Sequence, residues 1–145
     1  MLQMTTWDDA VRILCRFLKL DDHHIDHKHL LLPDKIADCA TSAGYDVLFT
    51  PVADFEDKDD EEILDELVPL EWKDLSDVLV ISDASFCYDG PFMTVGNALN
   101  PFVIAHREKY NWFVFNGDAI LVFLKHSGIC IIHHEGYKSV IKATS

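Results

Sequence analysis

Two stretches of the chain carry the residue types that hold metal ions or move protons. In the first, His23, His24, His27 and His29 are interleaved with Asp21, Asp22 and Asp26. On a helix His23 and His27 would share a face, a spacing that can present two imidazoles to a zinc ion. They are the metal-ligand candidates, although no HExxH accompanies them and spacing names no third ligand. A solvated polar connector is the simpler reading of such a segment. In the second stretch, His133, His134 and Glu135 close an apolar run. Together with Cys130, or with Asp83 and Asp89, they could be drawn as an acid–base or nucleophilic set. A strand end with one imidazole turned inward and one outward explains them as well.

The motifs that would convert such residues into a defined reaction are missing. There is no GxSxG elbow, no GxGxxG or GxxxxGK[ST] phosphate loop, no PCxxC and no DxDxDG calcium core. No catalytic residue is therefore assigned, and no cofactor is called for.

Charge supplies the stronger functional signal. Among 145 residues, 25 Asp and Glu stand against 12 Lys and Arg, a formal net charge of -13. Twelve of those acids fall between Asp54 and Asp77, accompanied only by Lys58 and Lys73. Polyphosphate binding draws on Lys and Arg to release counterions, so direct nucleic-acid binding is disfavoured, as is an anionic membrane. A basic protein is the partner that this charge suits. One-signed charge accelerates encounter, whereas affinity needs apolar anchors. The candidate docking residues are Asp54, Phe55, Glu56, Asp57, Asp59, Asp60, Glu61, Glu62, Asp65, Glu66 and Trp72, with Phe86, Tyr88 and Phe92 nearby. Asp59, Asp60, Glu61 and Glu62 are expected to be exposed. A solvated face that merely keeps the protein soluble is the simpler reading of the same residues.

The elements that must position these groups follow from pattern. Thr6 is a plausible N-cap for a helix whose Trp7, Ala10, Val11, Leu14 and Leu18 share a face, with Asp8 and Asp9 in its first turn. Pro33 opens a second helix that ends at Gly44, and Tyr45 to Val52 reads as a short strand. The start of the acidic run is expected to be an extended or mobile loop, followed by a short helix at Ile63, Leu64 and Leu67 that stops before Pro69. Val78 to Ile81 is a strand, and Asp89-Gly90-Pro91 a turn. Asn100 and Pro101 mark the start of a helix reaching roughly Lys109.

Thereafter Trp112 to Phe115, Ala119 to Leu124 and Ile129 to His134 predict a three-stranded meander whose first turn is Asn116-Gly117. The nearly unbroken apolarity of those runs implies cover on both sheet faces. The fold class is α+β: helices packed on a mainly antiparallel sheet with a C-terminal three-stranded meander, in one domain spanning 1–145. Cys15, Cys39, Cys87 and Cys130 are dispersed without a CxxC, and three of them have apolar neighbours, which suggests buried free thiols. The amino terminus lacks a secretory pattern and no apolar run approaches membrane-spanning length, so a cytoplasmic location is expected.

A small acidic α+β chain of this kind resembles the immunity proteins of bacterial polymorphic toxin systems, including those of contact-dependent inhibition. The resemblance is one of general character, carried by Asp54 to Glu66 and by the compact run Tyr110 to Gly136. It implies binding to a cognate toxin, frequently a basic nuclease, with acidic side chains taking the place of phosphates. It transfers no residue positions. Two other classes stay open: a metal-dependent enzyme built on the histidines, and an acidic nucleic-acid mimic.

Overall fold

Six strands form one antiparallel sheet because the chain supplies alternating side chains that two separate helical layers can bury. The computed structural model describes residues 2–20 and 32–142. The strands are β1 (Thr50–Pro51), β2 (Asp77–Ile81), β3 (Phe92–Val95), β4 (Ala119–Phe123), β5 (Gly128–His133) and β6 (Tyr137–Lys142). Their order across the sheet is β1-β6-β5-β4-β2-β3, and every pairing is antiparallel.

Successive residues of each central strand point into different cores. Leu79, Ile81, Ile120, Val122, Ile129 and Ile131 pack under α1 (Trp7–Leu18) and α2 (Pro33–Ser42). Val78, Val80, Leu121, Phe123, Cys130 and Ile132 pack against α3 (Asp60–Leu67) and α4 (Leu99–Tyr110). The continuous apolarity of β4 and β5 thus reflects helices on both faces, as expected. Among the described residues, no helix is long and apolar enough to cross a membrane.

Local signals place several boundaries. The Thr6 hydroxyl accepts the Asp9 amide at 3.1 Å and caps α1. Gly44, at φ 95°, follows α2 in a conformation that side chains disfavour. Asp59 caps α3 in a reciprocal capping box with Glu62, and the helix ends at Leu67, two residues before Pro69.

Other expectations are corrected. The meander exists, but its strands are β4, β5 and β6; Trp112 to Phe115 is not a strand, and Val114–Asn116 forms a 3-10 turn. Two tertiary contacts override the Asn-Gly signal. The amides of Val114 and Phe115 are taken by the Asp60 carboxylate, and Gly117 is extended, at φ -116° and ψ -165°, beneath Asp83. The strand expected over Tyr45 to Val52 shrinks to Thr50–Pro51, where Pro51 has no amide proton to extend the ladder. Helix α4 begins one residue ahead of Asn100, because the preceding 3-10 turn Gly96–Ala98 is held by bonds from the Gly96 and Asn97 amides to the Ser76 and Asp74 carbonyls. The acidic loop is ordered into a 3-10 turn at Phe55–Asp57, where the Asp57 amide returns to the Asp54 carbonyl at 2.9 Å.

Candidate functional site

The candidate docking residues differ in what surrounds them. Asp60 and Trp72 belong to the interior, 0% and 4% exposed. The Asp60 carboxylate accepts the Val114 amide at 2.9 Å and the Phe115 amide at 3.1 Å, so it holds two chain segments together. Burial, opposed by those two amides, pushes its pKa up to about 6. Trp72 packs on Phe123 and lies directly over Gly128, where a Cβ would sit 2.1 Å from the indole. The expected exposure of Asp60 is therefore corrected, and Trp72, a candidate anchor, lies inside the core. Phe92, considered as a nearby anchor, is also fully buried.

A second group is neutralised by the protein's own cations. Glu66 accepts Lys58 at 2.7 Å and Lys138 at 2.9 Å, and both bonds lower its pKa. Asp65 pairs with Lys73 at 3.2 Å and Glu61 with Arg107 at 3.5 Å. Surface pairs of this kind contribute about 0–1 kcal/mol each, but they remove net charge from the face. Asp59 and Glu62 are engaged in capping α3, yet Glu62 stays exposed and Asp59 half-exposed.

Asp54, Glu56 and Asp57 form the third group, exposed around the half-buried Phe55. The Phe55 ring lies against Gly136, where a Cβ would come within 3.1 Å of it, and Gly136 adopts φ 90°. The Val52 amide bonds the Gly136 carbonyl at 2.8 Å and ties the acidic turn to the β5–β6 connection. Between these segments runs a groove lined by Asp54, Phe55, Glu56, Asp57, Glu135 and Tyr137 together with Pro51, Val52 and Gly136. None of its lining residues is a lysine or arginine.

The register places more acids at the same end of the sheet. Ile81 pairs with Ile120, Ala119 with Ile132, His133 with Tyr137 and Pro51 with Tyr137. The residues just beyond these pairs are Asp83, Asp118, His134 and Glu135. Asp118 Oδ1 accepts the His134 backbone amide at 2.8 Å and faces His134 Nδ1 at 2.9 Å. That side-chain bond is the main cause of the raised His134 pKa. Partial desolvation raises the pKa of Asp83, and the charge of Asp118 adds to it. His133 stacks on His134 with centroids 4.3 Å apart, accepts the Glu135 amide through Nδ1 at 3.1 Å and directs Nε2 toward Asp34 Oδ1 at 3.9 Å.

Of the residues considered beside this pair, Asp83 joins the cluster and two do not. Cys130 is buried, with Sγ 3.9 Å from the Leu67 carbonyl, and burial pushes its thiol pKa far up. Asp89 is held by Lys109 at 2.9 Å and by the Tyr110 hydroxyl. His23 and His27 lie outside the described residues. Asp118 carried no chemical signal in the sequence, where it reads as part of a turn. A buried pair, Ser82 Oγ and His106 Nε2 at 3.0 Å, was equally silent. Burial lowers the His106 pKa to about 4, which keeps the imidazole neutral, and both residues are at most 1% exposed. The pair is closed to a substrate. In comparisons with known proteins, no family model, no curated protein and no solved structure matches this chain.

Proposed function

We propose that this chain is an immunity-type inhibitor that binds a basic protein, such as a toxin, on the acidic end of its sheet. One observation carries the reading: the groove beside Phe55 is rimmed by Asp54, Glu56, Asp57 and Glu135, while the acids of α3 are largely paired with Lys58, Lys73, Arg107 and Lys138. Acids that no lysine or arginine among the described residues pairs thus flank an aromatic ring. Such a rim would steer a cationic surface and Phe55 would supply apolar contact. The net charge of -13 and the four dispersed cysteines without a CxxC pair are compatible with a binding protein in the reducing cytoplasm.

The experiment is co-expression with basic proteins encoded beside this chain, followed by binding kinetics on any whose toxicity it relieves. Replacing Asp54, Glu56, Asp57 and Glu135 together by Lys should slow association at low salt by about tenfold or more. Phe55→Ala should instead speed dissociation. An association rate indifferent to both salt and charge reversal would remove the acidic groove from the mechanism.

A further inference from the structure

The same end of the sheet holds a donor set that protein docking does not require. Asp118 precedes β4, His133 closes β5 and His134 begins the turn beyond it. One ligand atom from each lies within 4.8 Å of the others. We propose that Asp118, His133 and His134 bind one divalent transition-metal ion, with the Asp83 carboxylate available at its rim.

Donor chemistry selects the kind of ion. Two imidazoles and carboxylates suit zinc, cobalt, nickel or copper, whereas calcium and magnesium prefer oxygen throughout. The spacing is close to what coordination needs. Asp118 Oδ1 and His134 Nδ1 are 2.9 Å apart. Two neighbouring ligands at right angles on an ion with bonds of about 2.0–2.1 Å are separated by about 3 Å. The ion can therefore take the place of the proton between them. That proton moves to Nε2 if the ring is neutral, or to solvent if the ring is an imidazolium.

The remaining adjustment falls on the side chain freest to make it. The His133 and His134 rings are stacked with a 26° tilt, so their planes are nearly parallel and one ring must turn for both to meet an ion. The His134 side chain is 54% exposed, against 16% for His133. His134 can turn without opening the core.

Electrostatics point the same way. Asp118 lies close enough to Asp83 for its charge to raise the Asp83 pKa, and Asp34 and Glu135 approach the two histidines at 3.9 Å. Among the described residues no lysine or arginine pairs with any of these four acids. Gly117 leaves room for this crowding, since a Cβ there would meet Asp83 Oδ2 at 1.9 Å. A divalent cation would compensate charge that no lysine or arginine among the described residues pairs. The proposal is independent of the docking reading, because no partner protein is needed to test it.

The experiment is titration of the chelator-stripped full chain with zinc sulfate and, separately, nickel chloride, by calorimetry and by thermal denaturation. One ion per chain and a raised melting temperature are expected. Asp118→Asn, His133→Ala and His134→Ala should each weaken binding at least tenfold, while His23→Ala combined with His27→Ala leaves it intact. His134→Gln provides a variant of similar size should an alanine variant fold poorly. Absence of one-to-one binding at micromolar metal would overturn the site. So would unchanged affinity in folded His133 and His134 variants, or binding that disappears only with His23 and His27.

Discussion

The carboxylate of Asp60 accepts the amide of Val114 at 2.9 Å across 54 positions of the chain. With Phe115 bonded at 3.1 Å, this one acid turns the segment before β4 away from the strand that its apolar residues favour. Asp60 thus sits inside the most acidic stretch of the protein while serving the core. Asp60→Ala would leave two buried amide donors without an acceptor, each worth about 1–3 kcal/mol. A net loss of about 2–3 kcal/mol is expected, since removal of a buried charge offsets part of that cost. Urea unfolding of the variant at pH 7 measures it.

Asp60 and His106 should also act on the pH profile of stability with opposite signs. The folded pKa of Asp60 is raised to about 6, so its contribution is fully present below the unfolded value near 4 and is lost as pH rises through 6. His106, lowered to about 4, contributes fully above its unfolded value of 6.5 and loses that contribution as pH falls toward 4. Between pH 7 and pH 5 each effect is on the order of 1–2 kcal/mol. Asp60→Asn should therefore steepen the loss of stability on acidification, and His106→Gln should flatten it. Urea midpoints of the three proteins at pH 7 and pH 5 decide the matter; parallel profiles would show that neither group titrates as its burial implies.

Trp72 stabilises the fold and should be silent in binding. Its truncation to Ala empties the space over Gly128 and beside Phe123, a loss of about 3–5 kcal/mol. Gly128→Ala drives a methyl into the indole and should cost about 1–3 kcal/mol. For both variants the melting temperature should fall while the association rate with a partner, measured well below that temperature, stays at the wild-type value.

The cysteines should separate by access. Cys87 is exposed, Cys39 half-buried, and Cys15 and Cys130 buried. A thiol reagent applied to the native protein should label Cys87 first, then Cys39, and reach Cys15 and Cys130 only on unfolding. Mass spectrometry after timed alkylation gives that order; early labelling of Cys130 would mean that the core over β5 opens.

Much of the architecture could be read from neighbours in the chain. Thr6 capping Asp9, Gly44 beyond α2 and the stop at Leu67 all act within one helical turn, so residue types and spacing suffice to reveal them, whereas the Asp59–Glu62 box lies where an extended or mobile loop was expected. The unbroken apolar residues of β4 and β5 announced two covered faces in the same way. Asn116-Gly117 shows where that reading ends. It is a strong hairpin signal, but it was outweighed by Asp60 on one side and Asp83 on the other, neither of which is near in sequence.

The sequence by itself determined the acidic balance, the absence of established catalytic motifs, most helix positions and a sheet buried on both sides. Tertiary structure alone decided which acids face solvent: Asp60 is buried, Glu61, Asp65 and Glu66 are paired, and Asp54, Glu56 and Asp57 are left at the groove. It also decided that Asp83, Asp118, His133 and His134 meet at one end of the sheet. Charge and periodicity are properties of the chain at short range, whereas exposure and side-chain encounter depend on strand register and on which distant segments compete for the same hydrogen bonds.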